Sequence, residues 1–160
     1  MFPREEPVLQ LRSFILLAAS LGFVIRDATG DVIMAGSNSL GCYTSIFQVE
    51  AWGLLEAVRG AHSLNLSNVV IEGDNLVVVN AVNKIWQIPW EIDNIICDVG
   101  LELLKFNSVS MKHCFREANR AADFMAHRGH AVSSLCFSFP PYDMDFSLLI
   151  RKDVLGWPPD

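Results

Sequence analysis

Between Leu21 and Ala61 the hydrophobic period of this chain switches from that of strands to that of a helix, and this switch restricts it to folds that pack helices on a sheet. Leu21 to Arg26 and Asp31 to Ala35 are short apolar runs joined by Asp27-Ala28-Thr29-Gly30. Gly30 is free to take positive φ there, so the two runs predict an antiparallel hairpin. A Gly- and Ser-containing loop is expected over Gly36 to Tyr43. Ser45-Ile46-Phe47-Gln48 then forms a capping box, in which Gln48 reaches back to the Ser45 amide and starts a helix. Phe47, Ala51, Leu54, Leu55, Val58 and Ala61 recur at helical spacing. Glu50, one turn from Phe47 and Leu54, falls at the edge of that buried stripe, an unusual place for a carboxylate.

Val69-Val70-Ile71 reads as a core strand, and Glu72-Gly73-Asp74 places two acids on one face at its carboxyl end, because side chains alternate along a strand. A short helix is expected over Asn75 to Asn83. Beyond Pro89, Ile92, Ile95, Ile96, Val99, Leu103 and Phe106 mark a longer amphipathic helix. Val109, Met111, His113 and Phe115 alternate as another strand. Asn119 is an N-cap for a last helix that carries Asp123 in its second turn. The tail from Phe137 holds four of the seven prolines. The whole order predicts one mixed α/β domain with helices on both faces of the sheet.

Twelve basic against eighteen acidic side chains give a net charge of -6, so no global positive field attracts a phosphate backbone and nucleic-acid binding needs a local basic patch. Cys42, Cys97, Cys114 and Cys136 are widely spaced with no CxxC pair, which argues against zinc and against a disulfide framework and favours a reducing, intracellular setting. Phe14 to Ile25 is apolar but shorter than the roughly 20 residues a membrane helix needs. Glu5 and Glu6 beside Arg4 oppose a secretory leader. A buried strand pair is the expectation, with no membrane partner.

Four linked motifs, Gly22-Phe23-Val24-Ile25-Arg26-Asp27, Val49-Glu50-Ala51-Trp52, Ile71-Glu72-Gly73-Asp74-Asn75 and Arg116-Glu117-Ala118-Asn119-Arg120-Ala121-Ala122-Asp123, resemble in order and spacing those of the plant ribonuclease H-like, reverse-transcriptase-associated domain family. The resemblance runs from about Leu21 to the C-terminus. It implies a ribonuclease H-like fold with a mixed central sheet and antiparallel N-terminal strands. It also implies a retroelement origin and hydrolysis of the RNA strand of RNA–DNA hybrids by two Mg2+ ions held among carboxylates. Glu50, Asp74 and Asp123 match the family's metal ligands and catalytic acids, and His113 matches a mobile histidine that assists water handling or product release. Magnesium suits such a set because it prefers octahedral oxygen coordination and keeps several waters. A monomer acting on nucleic acid is the implied working form.

The departure is at the N-terminus. Residues 21–135 read as the ribonuclease H-like domain and 136–160 as a proline-rich tail, but 1–20 form an atypical segment where the family has a first strand bearing an Asp. Here Val8-Leu9-Gln10-Leu11-Arg12-Ser13-Phe14-Ile15-Leu16-Leu17 can pair as a strand yet offers no carboxylate, and Arg12 would repel magnesium. The family's Asp bridges both metals, so its loss is expected to cost more than the roughly 10- to 100-fold of a lost outer partner. Two readings follow: an impaired ribonuclease H, or a catalytically inactive domain of a degenerate retroelement copy that binds nucleic acid or protein without cutting.

Single residues also have plainer roles. Asp74 can cap the helix at Asn75, Asp123 can sit favourably at a helix N-terminus, and His113 can be an imidazole packed on an apolar face. Arg116, Glu117 and Arg120 read as surface residues, with the arginines also able to meet phosphate. Trp86 and Trp90, flanking Pro89, can stack on nucleic acid or pack under their loop.

Overall fold

The computed structural model describes residues 7–15, 19–41 and 45–155. The N-terminal segment forms a strand, β1 (Val8–Ile15), which pairs antiparallel with β2 (Ala19–Arg26) from Val8↔Arg26 to Ile15↔Ala19. Its other edge pairs parallel with β4 (Asn68–Gly73), from Val8↔Val70 to Leu11↔Gly73. With β3 (Val32–Gly41), β5 (Ser108–His113) and β6 (Cys136–Ser138) they make one sheet in the order β5-β4-β1-β2-β3-β6. Segment 8–15 therefore takes the central place in the sheet.

The hairpin forms as its turn chemistry dictates. Gly30 has φ 91°, and Asp27 Oδ1 accepts from the amides of Thr29 and Asp31 and from the Thr29 hydroxyl, which holds the Asp27 carboxyl below its usual range. The return strand is longer than its apolar run. Gly36, Ser37 and Ser39, expected in a loop, belong to β3 and pair with β2, with β6 adding to the other edge at Ala35 to Ser37. Gly36 stands opposite Phe23, and a Cβ there would come within 2.3 Å of the Phe23 ring. The glycine makes room for a core aromatic rather than marking a turn.

Helices cover both faces. On one side α1 (Ile46–Ser63), α2 (Leu76–Val82) and α3 (Asp93–Leu103) build an apolar cluster with Leu21, Phe23, Ile25 and Ile71. The capping box at Ser45 and Gln48 is present with both bonds at 3.2 Å. On the other side α4 (Arg120–Gly129) lies on β2, and a Cβ on Gly22 would fall 2.1 Å from the Ala126 nitrogen, so helix backbone rests directly on the strand.

Residues 136–155 of the proline-rich tail hold more regular structure than the tail's composition implies. They supply β6 and a fifth helix, α5 (Met144–Val154), so α4 is not the last. Asp143 caps α5 by accepting from the Phe146 amide. Phe146 is fully buried in the second cluster, stacked on Phe124 at 5.3 Å with Tyr142 edge-on at 5.0 Å. At the far end Asp153 pairs with Arg26 at 3.2 Å and with Arg120 at 2.9 Å. Burial lowers the Arg26 pKa, and Asp153 opposes the shift.

Candidate nucleic-acid site at the carboxyl edge of the sheet

Three register observations converge on Leu11 to Ser13 of β1. Leu11 pairs with Gly73, the residue before Asp74. Arg12 pairs with Gly22, against which Ala122 and Ala126 of α4 are pressed, and Asp123 follows Ala122. Ser13 pairs with Leu21, whose Cβ is the near neighbour of Gly53 on α1, one turn after Glu50. Each acid-bearing element is thus brought to the same level of the central strand by backbone pairing or helix packing.

Glu50 is 7% exposed, an acid drawn into the wall of the α1 cluster. Asp74 follows β4, with its Oδ1 withdrawn from solvent. It does not cap α2: Asn75 does, its Oδ1 accepting from the amides of Val77 and Val78. Asparagine is as good a cap as aspartate, so the adjacent side chain relieves Asp74 of that role. Asp123 lies in the first turn of α4, not the second, half-buried with His127 Nε2 at 3.8 Å. Asn119 is the N-cap residue as expected, but its side chain makes no capping bond.

His113 ends β5 opposite Gly73, is exposed, and shares a hydrogen bond of 3.2 Å between its Nε2 and the Asp74 carbonyl. It also meets Phe115 edge-on at 5.7 Å. The histidine is therefore exposed at the sheet edge rather than packed on an apolar strand face. Lys112 and Arg116 near it are exposed, with Glu72 opposite Lys112 on the neighbouring strand and exposed Glu117 next to Arg116. Arg120, by contrast, is engaged by Asp153.

The tryptophans do not pack under their loop. Trp90 is 90% exposed, Trp86 is exposed as well, and Gln48 Nε2 donates to the Glu91 carbonyl at 3.3 Å, tying their turn to the start of α1. Among the described residues no three His, Cys, Asp or Glu side chains are grouped so as to hold a metal ion. No helix among them is long and apolar enough to cross a membrane, and Cys97 and Cys136 are exposed free thiols.

Residues 16–129 match the family model described as reverse transcriptase-like. An Arabidopsis thaliana protein named for ribonuclease H is 30% identical over 138 residues, 86% of this chain, and the chain spans 22% of that relative's length. Among solved structures, RNase H1 of the halophilic archaeon Halobacterium salinarum superposes with a TM-score of 0.71 at 19% identity, covering 79% of this chain and 96% of its own. LC11-RNase H1 from a compost metagenome, in complex with an RNA/DNA hybrid, gives 0.72 at 16% identity over 77% of this chain and 95% of its own. The foamy viral protease-reverse transcriptase, also with an RNA/DNA hybrid, gives 0.69 at 18% identity over 82% of this chain and 21% of its own. With the family model spanning most of the domain and the sheet order in place, the chain belongs to the reverse transcriptase-like family of ribonuclease H-fold domains.

Proposed function

We propose that this domain binds RNA–DNA hybrid at the Asp74 edge and hydrolyses it poorly, because its central strand brings no acid to the site. The observation that carries the reading is the β1 register: Glu50, Asp74 and Asp123 ride on elements that meet at Leu11 to Ser13, and those three positions hold no carboxylate. Binding is supported by Lys112, His113 and Arg116 beside Asp74 and by the exposed faces of Trp86 and Trp90, since bases stack on aromatic rings at about 1–3 kcal/mol each. It is supported too by the hybrids held in two of the similar structures.

The donors fit magnesium in kind but not in number. Carboxylate oxygens are the hard ligands that Mg2+ takes, yet the described side chains do not close into a group of three, and the sequence from Leu11 to Ser13 adds no carboxylate to them. A two-ion cage is therefore incomplete here. Glu50, Asp74 and Asp123 remain the acids that would serve a restored site, with His113 at its exit.

The test is hybrid binding by anisotropy beside Mg2+-dependent cleavage of the same labelled hybrid, for the natural chain and for Arg12→Asp. Binding with only slow cleavage by the natural chain, faster cleavage by Arg12→Asp, and its loss in Arg12→Asp/Asp74→Asn are the expected results. Failure of the natural chain to bind hybrid, or cleavage by it as fast as by Arg12→Asp, would overturn the reading.

A further inference from the structure

Phe115 stands just beyond the end of β5, on an alternation that begins in the core. Met111 is buried, but His113 and Phe115, the next two residues of that alternation, are exposed, Phe115 at 76%. Its ring meets His113 edge-on at 5.7 Å, and His113 Nε2 shares its 3.2 Å hydrogen bond with the Asp74 carbonyl. Single apolar side chains on a surface are ordinary. This one differs in its place, because its ring leans on the histidine that touches the Asp74 backbone.

The charges near Phe115 do not build a phosphate cradle. Lys112 stands opposite Glu72 on β4, and Arg116 is followed by Glu117, so each of these cations has an acid at hand. What the ring offers instead is a flat apolar face. Inside a continuous hybrid every base is covered above and below by its neighbours, so such a face finds a partner only where a nucleotide is unpaired and unstacked. Where a duplex gives way to a single strand, the first unpaired base carries that free face.

We propose that Phe115 is a stacking platform for one unpaired nucleotide, so that the Asp74 edge takes RNA–DNA hybrid flanked by a single-stranded extension in preference to a continuous duplex. This preference presupposes the hybrid binding proposed above and adds the form of hybrid that is bound. Trp86 and Trp90 are exposed as well, but their turn is tied to the start of α1, so a variant at Phe115 isolates the His113 side of the site. The probes are a labelled blunt hybrid, the same hybrid with a short extension on either strand, and one whose extension keeps its phosphates but lacks bases. The readout is the dissociation constant by anisotropy across a salt series.

At least one base-bearing extension is expected to tighten binding about tenfold, and the gain should persist as salt rises, because stacking releases no counterions. The abasic extension should gain nothing. Phe115→Leu, an apolar exchange at an exposed position that leaves thermal unfolding unchanged, should bind extended and blunt hybrids alike, and Phe115→Trp should keep the preference. Equal binding of blunt and extended hybrids by the natural chain, the same gain from the abasic extension, or a gain that survives Phe115→Leu would each overturn the proposal while leaving hybrid binding in place. Absence of binding to every hybrid would overturn both, so the two failures are told apart.

Discussion

On the α1 side of the sheet, Leu21, Phe23 and Ile25 share one apolar cluster with Leu54, Leu55 and Val58. On the α4 side the alternate residues of the same strand do something else: Gly22 lets helix backbone rest on the sheet, Ser20 meets His130 at 3.1 Å, and Arg26 reaches Asp153. A helix held by interlocking side chains can shift when one of them changes size. A helix seated backbone to backbone cannot, because no rotamer is available to absorb an added atom. Asp123 therefore inherits its position from a close approach, and Glu50 from the fit of a broad apolar face.

This contrast can be broken most severely at Phe23, which is fully buried over Gly36 and edge-on to Phe137 at 6.3 Å. Phe23→Ala should lose about 3–5 kcal/mol of unfolding free energy in urea titration, with the loss carried by the α1 face. Gly22→Ala comes next. Its methyl group has nowhere to go, and a cost of about 3 kcal/mol is expected, together with displaced amide signals along α4 in NMR spectra. Asp153→Asn should cost about 2 kcal/mol by leaving Arg26 buried beside a weaker partner.

The mirror of Gly22→Ala on the other face is Gly53→Ala. Its nearest neighbour would be Leu21 Cβ at an ordinary 3.6 Å, so the same chemical change should raise stability by about 0.5–1 kcal/mol through helix propensity. A smaller effect separates the faces by acid. Asp143 is held below its usual carboxyl range by the Phe146 amide and by Arg128. Its cap is thus fully present above about pH 4 and lost as pH falls through the lowered value. The aromatic near-UV signal of Tyr142 and Phe146 should fade in that window before the α1 helix signal does.

The regular elements were legible because their signals are local. The Ser45–Gln48 box, the Gly30 turn and the stripe on α1 each fix a few consecutive residues, and all three stand where the sequence places them. β3 was misjudged at Gly36 because the reason for that glycine, the ring of Phe23, lies on another strand. α5 was missed because prolines dominate the tail, while its stabilisation comes from Phe146 in a distant cluster and from Asp153 on two arginines. At the site, Asn75 caps α2 in place of Asp74, a choice between neighbours that propensity leaves even. That Leu11 to Ser13 is the meeting level of three elements was invisible until the strand register was known.

The central place of β1 has a consequence for how the chain is made. Its antiparallel neighbour follows within a few residues, but its parallel neighbour begins only at Asn68, after a complete helix. While the chain emerges from the ribosome, the first three strands can already form a ribbon with one edge of β1 still open. Such an edge, unpaired until β4 arrives, is a template for other chains. Folding yield during synthesis should therefore depend on how quickly residues 46–73 follow, a kinetic burden placed on an inner strand that holds no carboxylate.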